Sequence, residues 1–346
     1  MIKSTSMEPG RIQTETLIVP VCPDGELYRS ATLCDLNRQA LEIPTFKGKQ
    51  GEELILHRMP GLKAGRVVFL GVGPEADLTL ERLRRAAGTG TALAQHAAPG
   101  TAVLAVPDVA KGDDLTREAM LTAVAEGALL SNHRENRYCS DPEVQPLKSI
   151  RLQTDAAMAK KAAPLLKRLE AVCRGTLQAR DWINQPANEK RPDQLAHSMA
   201  RAARAHGLKA SILDEKKLKA LDMGALLAVG GGSAHPPRLL VLEYRPPKAK
   251  DAIALVGKGV TFDAGGLNLK PTGSIELMKV DMAGAAAVAA SVIAMARIGV
   301  RQRVVGVIPL VENMVSGDAF RPGDIVRAAN GRTIEIGNTD AEGRLI

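Results

Sequence analysis

The chain has 346 residues, 45% of them hydrophobic and 24% charged, the make-up of a globular protein with room for two domains. Aromatic residues make up only 2%, so its cores must be built from Ala, Val, Leu and Ile. The formal charge of +8 comes from Lys and Arg scattered along the chain, as in Arg82-Leu83-Arg84-Arg85, Lys160-Lys161 and Lys216-Lys217, with no aromatic stacking platform beside them; this favours a solvated surface over a nucleic-acid surface.

Between Met1 and Gly10 there is Lys3 but no apolar stretch behind it, so a secretory signal is not expected. No run of about 18 apolar residues occurs, so no membrane-spanning helix is expected either. Strand patterns fall at Thr16–Pro20, Arg66–Gly71 and Thr101–Pro107, and helical patterns at Leu78–His96 and Asp113–Ser131. This alternation predicts an α/β layer structure. A long helical stretch, Thr154–Arg180, follows. The turn-rich segment Asn184-Gln185-Pro186-Ala187-Asn188 then breaks the pattern, and a helix is expected from Pro192. The domain boundary is placed in this region, giving an N-terminal α/β domain over 1–165 and a second over 166–346. The second half repeats the alternation, with strands expected at Ala225–Val229, Leu239–Glu243, Ala252–Val256, Val304–Pro309 and Thr333–Ile336. An Ala-rich helix lies within Leu277–Ile298. The four cysteines, Cys22, Cys34, Cys139 and Cys173, show no CxxC spacing and read as reduced thiols of a cytoplasmic protein.

Three segments carry chemistry. The apolar run Ala252–Val256 leads directly into Gly257-Lys258-Gly259 and then Thr261-Phe262-Asp263-Ala264-Gly265-Gly266. Sites in α/β sheets gather beyond the carboxyl ends of strands, and Lys258 and Asp263 stand there. Next, Asp281 sits at the entrance to the Ala-rich helix, where a carboxylate also suits the helix dipole. Third, Asn338-Thr339-Asp340-Ala341-Glu342-Gly343-Arg344 places two carboxylates after a short strand. Asp263, Asp281, Asp340 and Glu342 together form an oxygen-rich set suited to divalent metals, with carboxylates able to bridge a pair of ions. The six histidines show no HExxH spacing, so a histidine-based zinc site is not supported. Gly71-Val72-Gly73 and Gly257-Lys258-Gly259 do not complete GxGxxG, because Ala76 and Phe262 occupy the third position, and no Walker motif occurs.

The segments Val256–Gly266, Lys270-Pro271, Asp281-Met282 and Asn338–Leu345, in that order, resemble the signatures of the leucyl (cytosol) aminopeptidase family of metallopeptidases. Weaker similarity runs through Gly127–Leu130, Arg137-Tyr138, Asp181–Ala196 and Gly230–Arg238. The resemblance implies a smaller N-terminal α/β domain and a catalytic α/β domain with a mixed central sheet. It implies two divalent ions, Zn or Mn with Mg or Co as alternatives, held by Lys258, Asp263, Asp281, Asp340 and Glu342, with Asp263 and Glu342 bridging. By the same resemblance Lys270 polarises the scissile carbonyl, and Arg344 holds a bicarbonate that shuttles a proton. Met278 lines the pocket for the first side chain, and Asn338 hydrogen-bonds the substrate. The substrates implied are peptides trimmed at their N-termini, with a leucine-type preference, and the assembly implied is a homo-oligomer, commonly a hexamer. Some relatives bind DNA, so a DNA-binding or regulatory role is the alternative. Family members continue well past the last motif, so the catalytic domain is expected to be incomplete at its C-terminus: either a piece of a full enzyme or a truncated, catalytically impaired product.

Overall fold

The structure is a computed structural model that describes residues 2–97, 100–109, 114–141 and 143–346. The chain divides into two compact units, Met1–Cys173 and Arg174–Ile346. The division falls inside one long helix, eight residues beyond the boundary expected at 165.

The first unit is built on a six-stranded sheet. Its strands are β1 (Ile2–Thr5), β2 (Thr14–Val21), β3 (Glu53–His57), β4 (Ala64–Gly71), β5 (Thr101–Ala105) and β6 (Ser149–Gln153), ordered β1-β6-β5-β2-β4-β3. All pairings are parallel except that of β3 with β4. Helices α1 (Ala31–Glu42), α2 (Leu80–Ala97) and α3 (Arg117–Ser131) belong to this unit. The start expected for α3, Asp113, lies outside the described residues; the helix begins after Thr116, whose hydroxyl accepts from the Ala119 amide at 3.2 Å. Helices α2 and α3 lie close because Gly127 has no side chain: a Cβ there would sit 2.0 Å from the Arg84 carbonyl oxygen. The core is aliphatic, as the composition requires, with Leu17, Ile18, Val67, Val68, Val103 and Leu104 among its fully buried side chains.

Helix α4 (Ala156–Asn184) carries the chain into the second unit. There follow α5 (Pro192–Arg204), β7 (Lys209–Leu213), α6 (Glu215–Ala220), α7 (Gly224–Gly230), β8 (Arg238–Tyr244), β9 (Ala252–Val256), β10 (Val260–Asp263), α8 (Thr272–Ile275), α9 (Ala283–Ile298), β11 (Arg303–Asn313), β12 (Ile325–Arg327) and β13 (Thr333–Glu335). The sheet is mixed. The long β11 lies antiparallel to β8 and parallel to both β9 and β10, which form one interrupted strand along the same edge; β8 in turn pairs antiparallel with β7. Successive residues of β8 and β11 alternate between two cores. Leu240, Leu242, Ile308 and Leu310 pack with residues of α5 and α9, whereas Leu239 and Val311 pack with residues of α6 and α7.

One expectation fails for a physical reason. The run Ala225–Val229, expected as a strand, is the two-turn helix α7. A five-residue apolar run does not separate strand from helix. The buried set Ala225, Leu226 and Val229 has helical spacing, and Gly224 lets the helix start approach Arg327, where a Cβ would meet the carbonyl oxygen at 2.5 Å. Strand β9, apolar throughout, is largely exposed, with Ile253 at 53% and Val256 at 67%. An 18-residue window within Thr272–Ile298 reaches a mean hydropathy of 1.6, high enough by composition to cross a membrane. That stretch is broken, however, into α8, a 3-10 turn at Met278–Val280 and the 16-residue α9, which buries Ala285, Ala286, Ala289, Val292 and Ile293 in the core.

Lys190 is fully buried. Its ammonium donates to the carbonyl oxygens of Trp182 (3.0 Å) and Ile183 (2.7 Å) at the end of α4 and contacts the Met282 sulfur. Burial, aided by the nearby Lys279 charge, pulls its pKa down to about 8. The unfolded chain therefore binds one more proton than the folded chain between pH 8 and 10.5, and stability attributable to this group rises with pH across that window and is lost as pH falls through 8. Lys190→Met is expected to remove a slope of up to ~1.4 kcal/mol per pH unit from this window. Urea unfolding of both proteins at several pH values measures the difference.

Candidate metal centre

The site lies at the carboxyl ends of β10 and β11. Between β9 and β10 the chain leaves the edge of the sheet for Gly257-Lys258-Gly259 while staying bonded to β11 on both sides. The Gly257 amide donates to the Val307 carbonyl at 3.1 Å, and the Val311 amide donates to the Gly259 carbonyl at 3.0 Å. Glycine is required at both flanks: a Cβ on Gly257 would meet the Gly284 carbonyl oxygen at 2.6 Å, and one on Gly259 would meet that of Pro309 at 2.2 Å. The start of α9 clamps the same loop, since the Ala285 amide donates to the Lys258 carbonyl at 2.8 Å. The Lys258 side chain is thereby aimed at two carboxylates, with Nζ 2.7 Å from Glu342 Oε1 and 3.0 Å from Asp281 Oδ2.

Asp263 ends β10 and is buried. Its Oδ1 accepts from the Gly265 amide and from Asn313 Nδ2, both at 2.8 Å. Gly265 (φ +88°) and Gly266 (φ +65°) then adopt a left-handed backbone that turns the chain back on itself. The reversal is closed by the Lys270 amide donating to the Ala264 carbonyl at 3.0 Å. It brings Lys270 Nζ to 2.9 Å from Asp263 Oδ2 and into contact with Asp340. Asp281 follows the 3-10 turn Met278–Val280 and precedes α9. The segment Thr339–Arg344 is irregular 3-10 helix that turns Asp340 and Glu342 toward the other ligand candidates.

All four carboxylates and both lysines singled out in the sequence thus converge. One oxygen from each of Asp263, Asp340 and Glu342 lies within 4.8 Å of the others. Asp263 and Glu342 are buried, whereas the Asp340 side chain is 33% exposed. Burial pulls the Lys258 amine down, but hydrogen bonds to Glu342 and Asp281 outweigh it and hold the pKa above the usual value. Burial likewise opposes the charge on Lys270, yet Asp340 and Asp263 raise its pKa well above the ordinary range. The Asp281 carboxyl is pushed up by burial against the pull of Lys258.

The other three residues stand differently. Arg344 closes the 3-10 segment with its side chain exposed, and among the described residues no ion pair joins it to the carboxylates. Met278 is half-buried at the start of its turn. Asn338 is exposed, and its Oδ1 caps the last segment by accepting from the Asp340 amide at 2.7 Å. Leu267, Leu269, Leu277 and Val280, on the loops flanking the site, are exposed apolar side chains.

The sequence reading missed the residues that hold this arrangement. Thr339 is fully buried; its hydroxyl donates to the Gly265 carbonyl at 2.7 Å and accepts from the Asn268 amide at 2.9 Å. Asn268 Oδ1 in return accepts from the Thr339 amide at 2.8 Å. Asn313 joins Asp263 to the Thr339 carbonyl. The available signal was the pair Glu312-Asn313, polar residues ending the apolar run of β11.

The donor set suits divalent cations. Glu342 Oε2 is buried without a hydrogen-bond partner among the described residues, an acceptor open to a cation. Four carboxylates face only two ammonium groups, which leaves the cluster formally at −2. Carboxylate oxygens with an excess of negative charge are able to hold Mn, Mg, Zn or Co.

Fold and site together define a two-unit α/β protein with a candidate divalent-metal centre at the carboxyl end of a mixed sheet. The profile of the cytosol aminopeptidase family, catalytic domain, matches residues 177–346, and that of the N-terminal domain matches residues 21–142. The chain belongs to the cytosol aminopeptidase family. A probable cytosol aminopeptidase of Syntrophotalea carbinolica is 40% identical over 89% of this chain, and one of a Geobacter species is 38% identical over all of it. The chain spans 63% and 71% of the lengths of those two relatives. Among solved structures, a mutant of tomato leucine aminopeptidase matches with a TM-score of 0.84 at 30% identity, covering 99% of this chain and 69% of its own. The bottromycin maturation enzyme BotP in complex with Mn matches with a TM-score of 0.79 at 35% identity, covering 96% of this chain and 67% of its own.

The Gly343 position offers a test of the Lys258 geometry. A Cβ there would lie 2.8 Å from Lys258 Cδ and 2.9 Å from Nζ. Gly343→Ala is expected to displace the amine and weaken Mn²⁺ binding by about tenfold or more, since ligands must be held within ~0.5 Å. Titration calorimetry measures the affinity, and metal-free melting should shift by only a few degrees, on the order of 1 kcal/mol.

Proposed function

We propose that this protein is a metal-dependent aminopeptidase that removes the N-terminal residue from peptides, with apolar first residues of the leucine type preferred. The observation that carries this reading is the convergence of Lys258, Asp263, Asp281, Asp340 and Glu342 beside the separate cation Lys270. These five side chains would hold two divalent ions. When bound, the ions supply Lewis acidity and lower the pKa of water enough to yield a nucleophile near neutral pH.

This chain's own residues do the rest. Lys258, with its amine aimed at Glu342 and Asp281, would serve as a ligand in its neutral form, whereas in the metal-free protein those carboxylates hold its proton. Lys270 keeps its charge and stabilises the oxyanion that develops on the scissile carbonyl. Arg344, exposed and with no carboxylate partner among the described residues, would grip a planar bicarbonate through its guanidinium and so hold a proton acceptor near the attacking water. Met278 and the exposed Leu277 next to it would give the first side chain an apolar surface, and Asn338, which caps the Asp340 segment, would hydrogen-bond the bound peptide. The names of the relatives support the activity, and the Mn in the BotP complex supports the cofactor class. Cytoplasmic location, a homo-oligomeric assembly and peptide substrates follow from the same reading.

The test uses leucine p-nitroanilide with Mn²⁺ or Zn²⁺. Hydrolysis is expected, with loss on chelation and recovery on adding Mn²⁺ back. Asp340→Ala should reduce kcat/KM by about 10³-fold or more, on the scale of a lost electrostatic element of a catalytic site. Undiminished hydrolysis in that variant would refute the reading.

A further inference from the structure

We propose that Asn313 is a positioning residue for the metal centre, acting through Asp263 and the Asp340 loop. This rests on the proposed role of Asp263 as a ligand.

Asn313 is the last residue of β11, the strand at the middle of the sheet, and is fully buried. Its Nδ2 donates to Asp263 Oδ1 at 2.8 Å and to the Thr339 carbonyl at 3.0 Å. Both neighbours are acceptors only, so the amide has one workable orientation, nitrogen toward them. Asn313 Oδ1 is left buried with no hydrogen-bond partner among the described residues, turned toward Gly266, where a Cβ would come within 2.9 Å.

A side chain present only for packing would not leave a buried amide oxygen unpaired, because such an orphan costs stability that an apolar residue of the same shape avoids. The amide earns its place through its two N–H bonds. One fixes the rotation of the Asp263 carboxylate. With the Gly265 amide also on Oδ1, that oxygen is fully engaged, and Oδ2 becomes the oxygen presented to the site, where Lys270 Nζ now stands 2.9 Å away. The other bond ties the backbone just before Asp340 to the same rigid strand end. A single amide thus sets the distance between two ligand-bearing segments 77 positions apart in the chain, Asp263 and Asp340. Outer partners of this kind govern metal affinity through the orientation of the ligands they touch.

The experiment measures Mn²⁺ affinity by titration calorimetry on the unmodified chain, Asn313→Ala, Asn313→Leu and Asp263→Asn. Metal-free melting is recorded for each. The leucine variant fills the volume without donating a hydrogen bond, so a packing role leaves its affinity unchanged. The expected result is about tenfold or greater weakening in both Asn313 variants. Wild-type affinity in Asn313→Leu overturns the proposal while leaving the ligand set standing, provided Asp263→Asn binds weakly. Wild-type affinity in Asp263→Asn overturns the ligand reading, and this proposal with it. If neither Asn313 variant folds, the unmodified chain labelled with ¹⁵N-asparagine decides. The Asn313 side-chain amide signals should shift in step with Zn²⁺ occupancy, and signals unmoved at saturation overturn the proposal.

Discussion

Mutual repulsion among carboxylates is the constraint that shapes the second unit. Oxygens of Asp263, Asp340 and Glu342 lie within 4.8 Å of one another. At that separation each pair of unit charges costs roughly 3 kcal/mol at an effective dielectric of about 20, before screening at the more open Asp340. Three such pairs approach the ~5–15 kcal/mol by which a whole domain is stable. A fold that tolerates this needs cations placed to offset it and a scaffold stiff enough to resist spreading. Lys258 and Lys270 meet the first need, each lying between two carboxylates. The second is met by β11, which reaches under the site and bonds to both halves of the interrupted strand.

The interruption between β9 and β10 shows how backbone chemistry serves electrostatics. A regular strand would have sent Lys258 to one face of the sheet with its neighbours alternating around it. The two glycines let the chain bulge while α9 presses its first turn onto the loop, so that helix start and strand break fix each other. A lysine is a flexible side chain, and without such an anchor its amine would not stay between Asp281 and Glu342.

Much of this was legible in the sequence because it rests on residue types with few alternative explanations. Glycines flanking a lysine directly after an apolar strand, and two carboxylates spaced i, i+2 after another, mark strand ends whatever the tertiary context. The α/β alternation and the Ala-rich helix followed from periodicity, and the mixed sheet from the family resemblance. What stayed hidden depends on long-range geometry. Asn313 and Thr339 are ordinary polar residues locally, and only the parallel pairing of β10 with β11 reveals that Asn313 stands beside Asp263. The helix α7 was misread because its apolar run is too short for either period to declare itself, and its burial depends on packing against the distant β11 and β12. The exposure of β9 was hidden as well, because apolar composition reports what a strand is able to bury, not what covers it.

The charge balance also separates the two lysines, which ion pairing alone does not. Four carboxylates and two ammonium groups sum to −2. Under the proposed roles the two lysines part company once metal is bound. Lys258, its backbone held by β11 and α9, would serve as a neutral ligand and so give up its charge, whereas Lys270 would keep its charge beside Asp263 and Asp340. A fixed cation does little for a neutral carbonyl and much for the oxyanion that develops from it, so Lys270 would favour the tetrahedral state over the substrate, which is the condition for catalysis rather than for tight binding.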